Sequence, residues 1–234
     1  MAGTKYATSG AYRTPLTTIG MGAMKVLLFD LDCTLYPPEN TIFLSMGIRM
    51  TDYIQTVLEI SRTEASIIRD RYWKEYGLTL IGLIRNHSID PEDFLHYVHD
   101  VDIEKNIQHN PKLAKELTQI PLKKILFTNS CRYYARKVLS GLGMAKCFED
   151  PIIDIRQMQF YPKPHPKAYE ITMNFFQFTG NQCIMIDDSL DNLRTALSFG
   201  MQTIWVGKGH CPDDIDGHAI GPDGIVDQIR QLIG

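Results

Sequence analysis

Two aspartates one residue apart, Asp30 and Asp32, end the apolar run in LLFDLDCTLY, and a small Cys33 and a hydroxyl, Thr34, follow at once. A phosphate ester brought to such a pair meets repulsion of about 4 kcal/mol from each carboxylate at ~4 Å and an effective dielectric near ~20. Other groups along the chain could offset it. Asp188, in IMIDDS, supplies the extra carboxylate of an oxygen site for Mg²⁺, a hard ion that retains waters. Lys163, in YPKPHPKAYE, is a fixed positive charge, and Thr128 and Asn129, in ILFTNS, stand with backbone amides that can hydrogen-bond phosphate oxygens. On this reading Asp30 attacks phosphorus to give an aspartyl-phosphate. Asp32 protonates the leaving alcohol and then deprotonates the attacking water. One carboxyl stays charged beside the metal while the other exchanges a proton, so environment separates two similar groups. Singly, each fragment also reads as a turn, a helix cap or a surface lysine. Together and in order, each at a strand end or in the loop after it, they point to metal-assisted phosphoryl transfer.

The elements that must present these groups are legible in the pattern. KKILFTNS (123–130), NQCIMIDDS (181–189) and MQTIWVG (201–207) resemble the first strand, being short apolar runs that end in Gly or small polar residues. Helical patterns separate them: YYARKVLSGLG closing on glycines, HPKAYEITMNFF with Pro166 in its first turn, and DNLRTALSFG stopping at Gly200. Alternating strands and helices predict a parallel sheet covered on both faces, with ligands beyond the carboxyl ends of its strands. Between the first strand and residue 123 the pattern is helical. TIFLSMGIRMTDYIQTVLEI has helical periodicity, SRTEASIIRDRYWKEYG opens on a capping box from Ser61 to Glu64, and DPEDFLHYVHDV puts Asp90 at a cap before Pro91. The expected organisation is a flexible leader over 1–23, a catalytic core formed by 24–37 and 109–234, and a helical cap inserted over 38–108.

The 234 residues are 44% apolar, enough for a good core, and the net charge of −3 gives no general reason to expect nucleic acid or an anionic membrane as partner. Five widely spaced cysteines form no CxxC pair, which argues against a disulfide framework or a zinc site and suits the cytoplasm. His96, His99 and His109 are scattered and expected to face solvent. Tyr72, Trp73, Tyr76 and Leu80 are expected to pack cap helices, with ring stacking on a base open to Trp73 or Tyr76. Arg132 or Tyr133 could touch substrate by position, and His165 could line the phosphate site or serve the KPHP turn. The terminal DGIVDQIRQLIG reads as a helix, preceded by a flexible GHCPDDIDGHAIGP.

The four motifs together resemble those of the haloacid dehalogenase-like hydrolases: DLDCTL for the first, ILFTN for the second, Lys163 before Pro164 for the third and DDSLDN for the fourth. The resemblance spans residues 24 to about 207. It implies an α/β fold, a Rossmann-like parallel sheet core with an inserted all-helical cap. It also implies Mg²⁺ held by Asp30, the backbone carbonyl of Asp32, and Asp188. Position 33, often Gly in the family, is Cys here. The last acid of the fourth motif falls at Asp191 or Asn192, and Asp187 could share the metal. Members that break carbon–halogen bonds need no acid at the position of Asp32, so the resemblance implies a phosphatase. YWKEYGLTLIGLIRNH (72–87), DLDCTLYPPEN and MQTIWVG resemble the pyrimidine 5′-nucleotidase group, which implies a nucleoside monophosphate as the small phosphorylated substrate. Sugar phosphates, phosphoglycolate, a lysophospholipid or a non-catalytic phosphate-binding role are the alternatives.

Overall fold

The computed structural model describes residues 26–39 and 41–234; the expected leader lies outside the described residues. Its centre is the strand β1, Val26–Phe29, whose four residues are all buried. A strand covered by helices on both faces needs apolar side chains on both, hence an unbroken apolar run rather than an alternating one. β1 pairs in parallel with β2 (Lys123–Phe127) on one side and β4 (Cys183–Asp187) on the other. With β3 (Glu149–Ile153), β5 (Gln202–Val206) and β6 (Gly217–Ala219) the sheet order is β3-β2-β1-β4-β5-β6, every pair parallel. The order reverses at β1, and such a switch point opens a crevice at the carboxyl ends of the strands.

Both edge strands escape the sequence pattern. β3 carries Pro151, which has no N–H for a ladder and is tolerated only at an edge, and its register with β2 shifts between Ile125 and Phe127. β6 is three residues long and lies inside the segment expected to be flexible, where Gly217 gives no apolar alternation.

Five helices lie between β1 and β2 ahead of α6: α1 (Ile42–Leu58), α2 (Arg62–Tyr76), α3 (Thr79–His87), α4 (Pro91–Val98) and the short α5 (Ile103–Asn106). Their ends follow the sequence signals. Ser61 and Glu64 form the reciprocal capping box, Gly77 ends α2 in a left-handed conformation, and the Asp90 carboxylate accepts from Glu92 N at 2.8 Å. Tyr72 and Leu80 are buried among these helices, but Trp73 is 61% exposed and packs nothing of the kind expected. It sits one residue, or about 100°, around α2 from Tyr72, which takes it off the buried face. The remaining helices are α6 (Pro111–Gln119), α7 (Arg132–Leu142), α8 (Pro166–Phe176), α9 (Leu190–Ser198) and α10 (Ile225–Ile233). All five cysteines are free thiols, and no helix among the described residues is long and apolar enough to cross a membrane.

Contacts between α4 and the sheet domain hold the inserted helices in place. Arg156, in the loop after β3, makes a two-pronged ion pair with Glu92, and the Tyr133 hydroxyl donates to the carbonyls of Leu95 (2.9 Å) and His96 (3.1 Å).

Candidate active site

β1 and β4 are in register, Phe29 level with Ile186, so Asp30 and Asp187 leave the sheet side by side, and Asp30 N donates to Ile186 O at 2.9 Å. Lys163 reaches them from the long loop after β3. Its ammonium lies 2.8 Å from Asp30 Oδ1 and 2.8 Å from Asp187 Oδ2, and 5.1 Å above the Phe127 ring. The residue is 2% exposed, far from the surface position a lone lysine would suggest. Its loop is tied by backbone bonds from Phe160 N to Ile155 O and from His165 N to Pro162 O. Asn129 completes the brace: its amide donates to Lys163 O at 3.0 Å and accepts from Lys163 N at 2.8 Å. The side chain of Asn129 thus fixes the lysine backbone, while phosphate binding was expected of its backbone amide. Thr128 is fully buried, and its Oγ1 accepts from Ser130 N at 3.0 Å, leaving the hydroxyl proton for an incoming oxygen.

Carboxylate oxygens of Asp30, Asp187 and Asp188 lie within 4.8 Å of one another. Their spare acceptor capacity differs. Asp187 Oδ1 accepts from Ser189 N (2.9 Å) and Asn192 Nδ2 (2.9 Å), and Oδ2 from Lys163 (2.8 Å) and Asn192 Nδ2 (3.0 Å). Each oxygen has two lone pairs, so Asp187 is saturated. Asp30 Oδ2 carries only a 3.3 Å bond from Thr34. The open oxygens thus belong to Asp30 and Asp188, and Asp187 serves to hold Lys163. The ambiguity of the fourth motif resolves on the same geometry, with Asn192 buried against Asp187 and Asp191 facing outward toward Arg194 at 3.5 Å.

Burial and mutual repulsion work against ionisation of the clustered carboxyls. Burial pushes the Asp30 carboxyl well above the usual range; Lys163 pulls it down, and Asp187, Asp188 and Asp32 push it up. Burial, then Asp187, raise Asp188 to about 7. Lys163 would be lowered by burial, yet the facing Asp187 and Asp30 hold it above its ordinary value. Three close carboxylates against one ammonium form a hard-oxygen site suited to a divalent ion such as Mg²⁺.

Asp32 has a separate environment. Its Oδ1 accepts from the hydroxyls of Tyr36 (2.5 Å) and Tyr134 (2.8 Å), its Oδ2 from Ser130 Oγ (2.6 Å), and the two phenol oxygens lie 3.2 Å apart. Burial, then the charge of Asp32, drives both phenols far above their ordinary range, so they remain donors. None of the three hydroxyls was singled out in the sequence. Tyr36, four residues past Asp32, carried a signal in its spacing; Ser130 and Tyr134 are more than ninety residues away and carried none. Tyr133, the residue favoured by position, faces α4 while its neighbour Tyr134 turns inward and is fully buried.

Three further residues singled out in the sequence have local surroundings of their own. His165 caps α8, its Nδ1 accepting from Lys167 N at 3.1 Å, which makes it part of the turn. The Nε of half-buried Arg132 is enclosed without a hydrogen-bond partner. His99 is 5% exposed, not solvent-facing: its Nδ1 bonds the Leu95 carbonyl at 2.9 Å and its ring lies 4.9 Å from that of Tyr134. Cys33 adopts φ +63°, a left-handed conformation that favours glycine and accounts for the family preference there. Beside Asp188 a groove of about 350 Å³ is lined by Cys33, Pro38, Trp205, Lys208 and Ile220, and Trp205 Nε1 donates to the Asp188 carbonyl at 2.9 Å.

Comparison with known proteins shows the family and the fold. The family model of the haloacid dehalogenase-like hydrolases matches residues 24–200. Phosphate metabolism protein 8 of Saccharomyces cerevisiae is 31% identical over 201 residues, covering 76% of this chain and 60% of that protein; the chain thus spans about three fifths of that relative. A phosphoglycolate phosphatase of Colwellia psychrerythraea is 23% identical over 231 residues, covering 89% of this chain and 95% of that one. The crystal structure of a phosphatase from Thermococcus onnurineus superposes with a TM-score of 0.57 at 23% identity, over 90% of this chain and 98% of that one, a likeness of fold.

Proposed function

The chain belongs to the haloacid dehalogenase-like hydrolases, and from that premise we propose that it is a cytoplasmic phosphomonoester hydrolase working through an aspartyl-phosphate on Asp30. The observation that carries this reading is the buried Asp30–Lys163–Asp187 line at the sheet switch point, with a second acid, Asp32, on a separate set of donors. A site for binding phosphate alone has no need of that second acid.

In the proposed reaction the phosphoryl group lies beyond the β1 end, its charge offset by Lys163 and its oxygens bonded by the Thr128 hydroxyl and adjacent amides. Asp30 attacks phosphorus. Asp32 gives a proton to the departing alcohol and then takes one from the water that cleaves the acyl phosphate. Asn129 holds Lys163 in line, as Asp187 and Asn192 do from the other side. Asp30, the Asp32 carbonyl and Asp188 would hold Mg²⁺, which supplies charge neutralisation for the phosphoryl oxygens when bound.

For the substrate we place a pyrimidine nucleoside 5′-monophosphate first, with residues 38–108 acting as the cap over the strand ends. The resemblance of residues 72–87 to the nucleotidase caps supports this, as does a groove beside Asp188 with an aromatic wall, Trp205, near the ion pair of Lys208 with Glu39. Phosphoglycolate is the second reading, favoured by the name of the Colwellia relative. Phosphate release from UMP, CMP, phosphoglycolate and sugar phosphates, with Mg²⁺ and with EDTA, tests both. The expected result is Mg²⁺-dependent turnover concentrated on UMP and CMP and abolished in Asp30→Asn. Turnover concentrated on phosphoglycolate discards the nucleotide assignment, and an active, folded Asp30→Asn protein discards the mechanism.

A further inference from the structure

Three hydroxyls from three chain segments converge on one carboxylate. Tyr36 comes from the loop after β1, Ser130 from the loop after β2, and Tyr134 from the first turn of α7, and all three are buried. Ordering three donors around one side chain is more than a solvated acid needs. Nor are they loosely placed: Ser130 is fixed by bonds from its own N to Thr128 Oγ1 (3.0 Å) and from Ile155 N to its carbonyl (3.2 Å). Tyr134 is wedged against the buried ring of His99, at the end of α4.

Lone-pair counting gives the arrangement a consequence. A carboxylate offers four acceptor positions. Oδ1 of Asp32 has both of its positions taken by Tyr36 and Tyr134, and Oδ2 has one taken by Ser130. A single position remains, on Oδ2. We infer that Tyr36, Tyr134 and Ser130 are positioning residues that confine proton exchange by Asp32 to that one lone pair of Oδ2 and aim it at the leaving oxygen.

The inference rests on the phosphatase reading above and adds the atom and its aim. In the first step the proton on Oδ2 passes to the ester oxygen as the P–O bond breaks and its electron pair stays with that oxygen. In the second, water bonds to phosphorus, the bond from phosphorus to Asp30 breaks with its pair returning to the carboxylate, and the water's proton goes to Oδ2. Misaiming Oδ2 therefore penalises leaving groups that need a proton and largely spares those that depart as stable anions. A role in packing alone makes no such distinction.

The test compares kcat/KM for UMP, whose ribose oxygen needs protonation, with that for p-nitrophenyl phosphate, whose phenolate does not. Both are measured with Mg²⁺ on the full chain and on Tyr36→Phe, Tyr134→Phe, the double variant and Ser130→Ala. Positioned acid–base catalysis contributes about 10²–10⁴-fold. Each single variant is expected to lose about tenfold on UMP and the double variant about 100-fold, with losses on p-nitrophenyl phosphate within about threefold. Phenylalanine preserves the ring, and thermal melts identify any variant that fails to fold; Tyr36→Phe and Ser130→Ala carry the test should Tyr134→Phe do so. Equal losses on both esters, or none, overturn the clamp. Asp32→Asn separates the two levels of the proposal. If it discriminates between the esters and the clamp variants do not, the clamp alone falls. If it hydrolyses UMP like the wild type, the acid–base role of Asp32 falls and the clamp with it; if the wild type hydrolyses neither ester and no phosphoglycolate, the phosphatase reading falls and the clamp with it.

Discussion

Lys163→Met removes the single ammonium that stands between two buried carboxylates. At 2.8 Å, each of its pairings with Asp30 and Asp187 is worth about 6 kcal/mol at an effective dielectric near ~20. Much of that attraction is offset by the desolvation of three charged groups, several kcal/mol per ion. The variant loses the attraction but keeps both carboxyls of the pair buried, and breaking a buried pair in this way costs about 3–5 kcal/mol. For a domain of this size the melting temperature falls about 2–4 °C per kcal/mol, hence by about 6–20 °C. The pH dependence follows from the protons. Asp30 already sits well above its ordinary value, and losing Lys163 raises it further, so the folded variant keeps a proton that the unfolded chain has released. Its deficit relative to the wild type therefore grows with rising pH above the point where the folded wild type releases the Asp30 proton, and shrinks below it. Urea unfolding in EDTA from pH 5 to 8, followed by tryptophan fluorescence, reads this out. A second change, Asp187→Asn, removes one orphaned charge while keeping an acceptor for Asn192, and should restore about 1–3 kcal/mol to the lysine variant. A Lys163→Met protein within 1 kcal/mol of the wild type across that range, or no recovery in the double variant, would refute the electrostatic account of the site.

Mg²⁺ at about 100 times its dissociation constant should stabilise the wild type by about 2.7 kcal/mol. Asp188, raised to about 7 without a cation, must lose its proton to act as ligand, so the thermal shift should be larger at pH 8 than at pH 6 and absent in Asp188→Asn. His99 is held below its ordinary value by burial, so the unfolded chain takes up a proton that the folded one refuses as pH falls below about 6.5. Wild-type stability should drop there by up to about 1.4 kcal/mol per pH unit more steeply than in His99→Gln, measured by urea midpoints. Gly82→Ala places a Cβ 2.2 Å from Tyr72 Cγ, close to the backbone of α2 where the ring cannot yield easily. It should cost about 1–3 kcal/mol by thermal melt, against less than about 0.5 for Glu75→Ala at an exposed position of α2, scored on the same scale.

Much of the fold is written in local pattern. Apolar runs of strand length mark β1, β2, β4 and β5, because strands covered on both faces cannot alternate. Capping box, N1 prolines and terminal glycines mark helix ends, because unpaired backbone groups need local partners. β3 and β6 escaped because an edge strand is held by its one neighbour and needs little apolar signal of its own. The exposure of Trp73 and the burial of His99 escaped because helix faces are chosen by what packs against them.

For the site, residue order alone tells which groups are present: two acids spaced across a strand end, a lysine in a turn and an acidic pair on a later strand. Residue type and spacing suffice there, since a parallel sheet delivers all its strand ends to one crevice. Tertiary structure decided what each group does. Asp187 and Asp188 are adjacent in the chain, yet four hydrogen bonds saturate one and leave the other open. Asn129 became a brace for Lys163, and Tyr134 rather than Tyr133 reached Asp32. A role depends on which lone pairs and protons remain after the neighbours have bonded, and those neighbours are assembled from segments more than a hundred residues apart only when the chain folds.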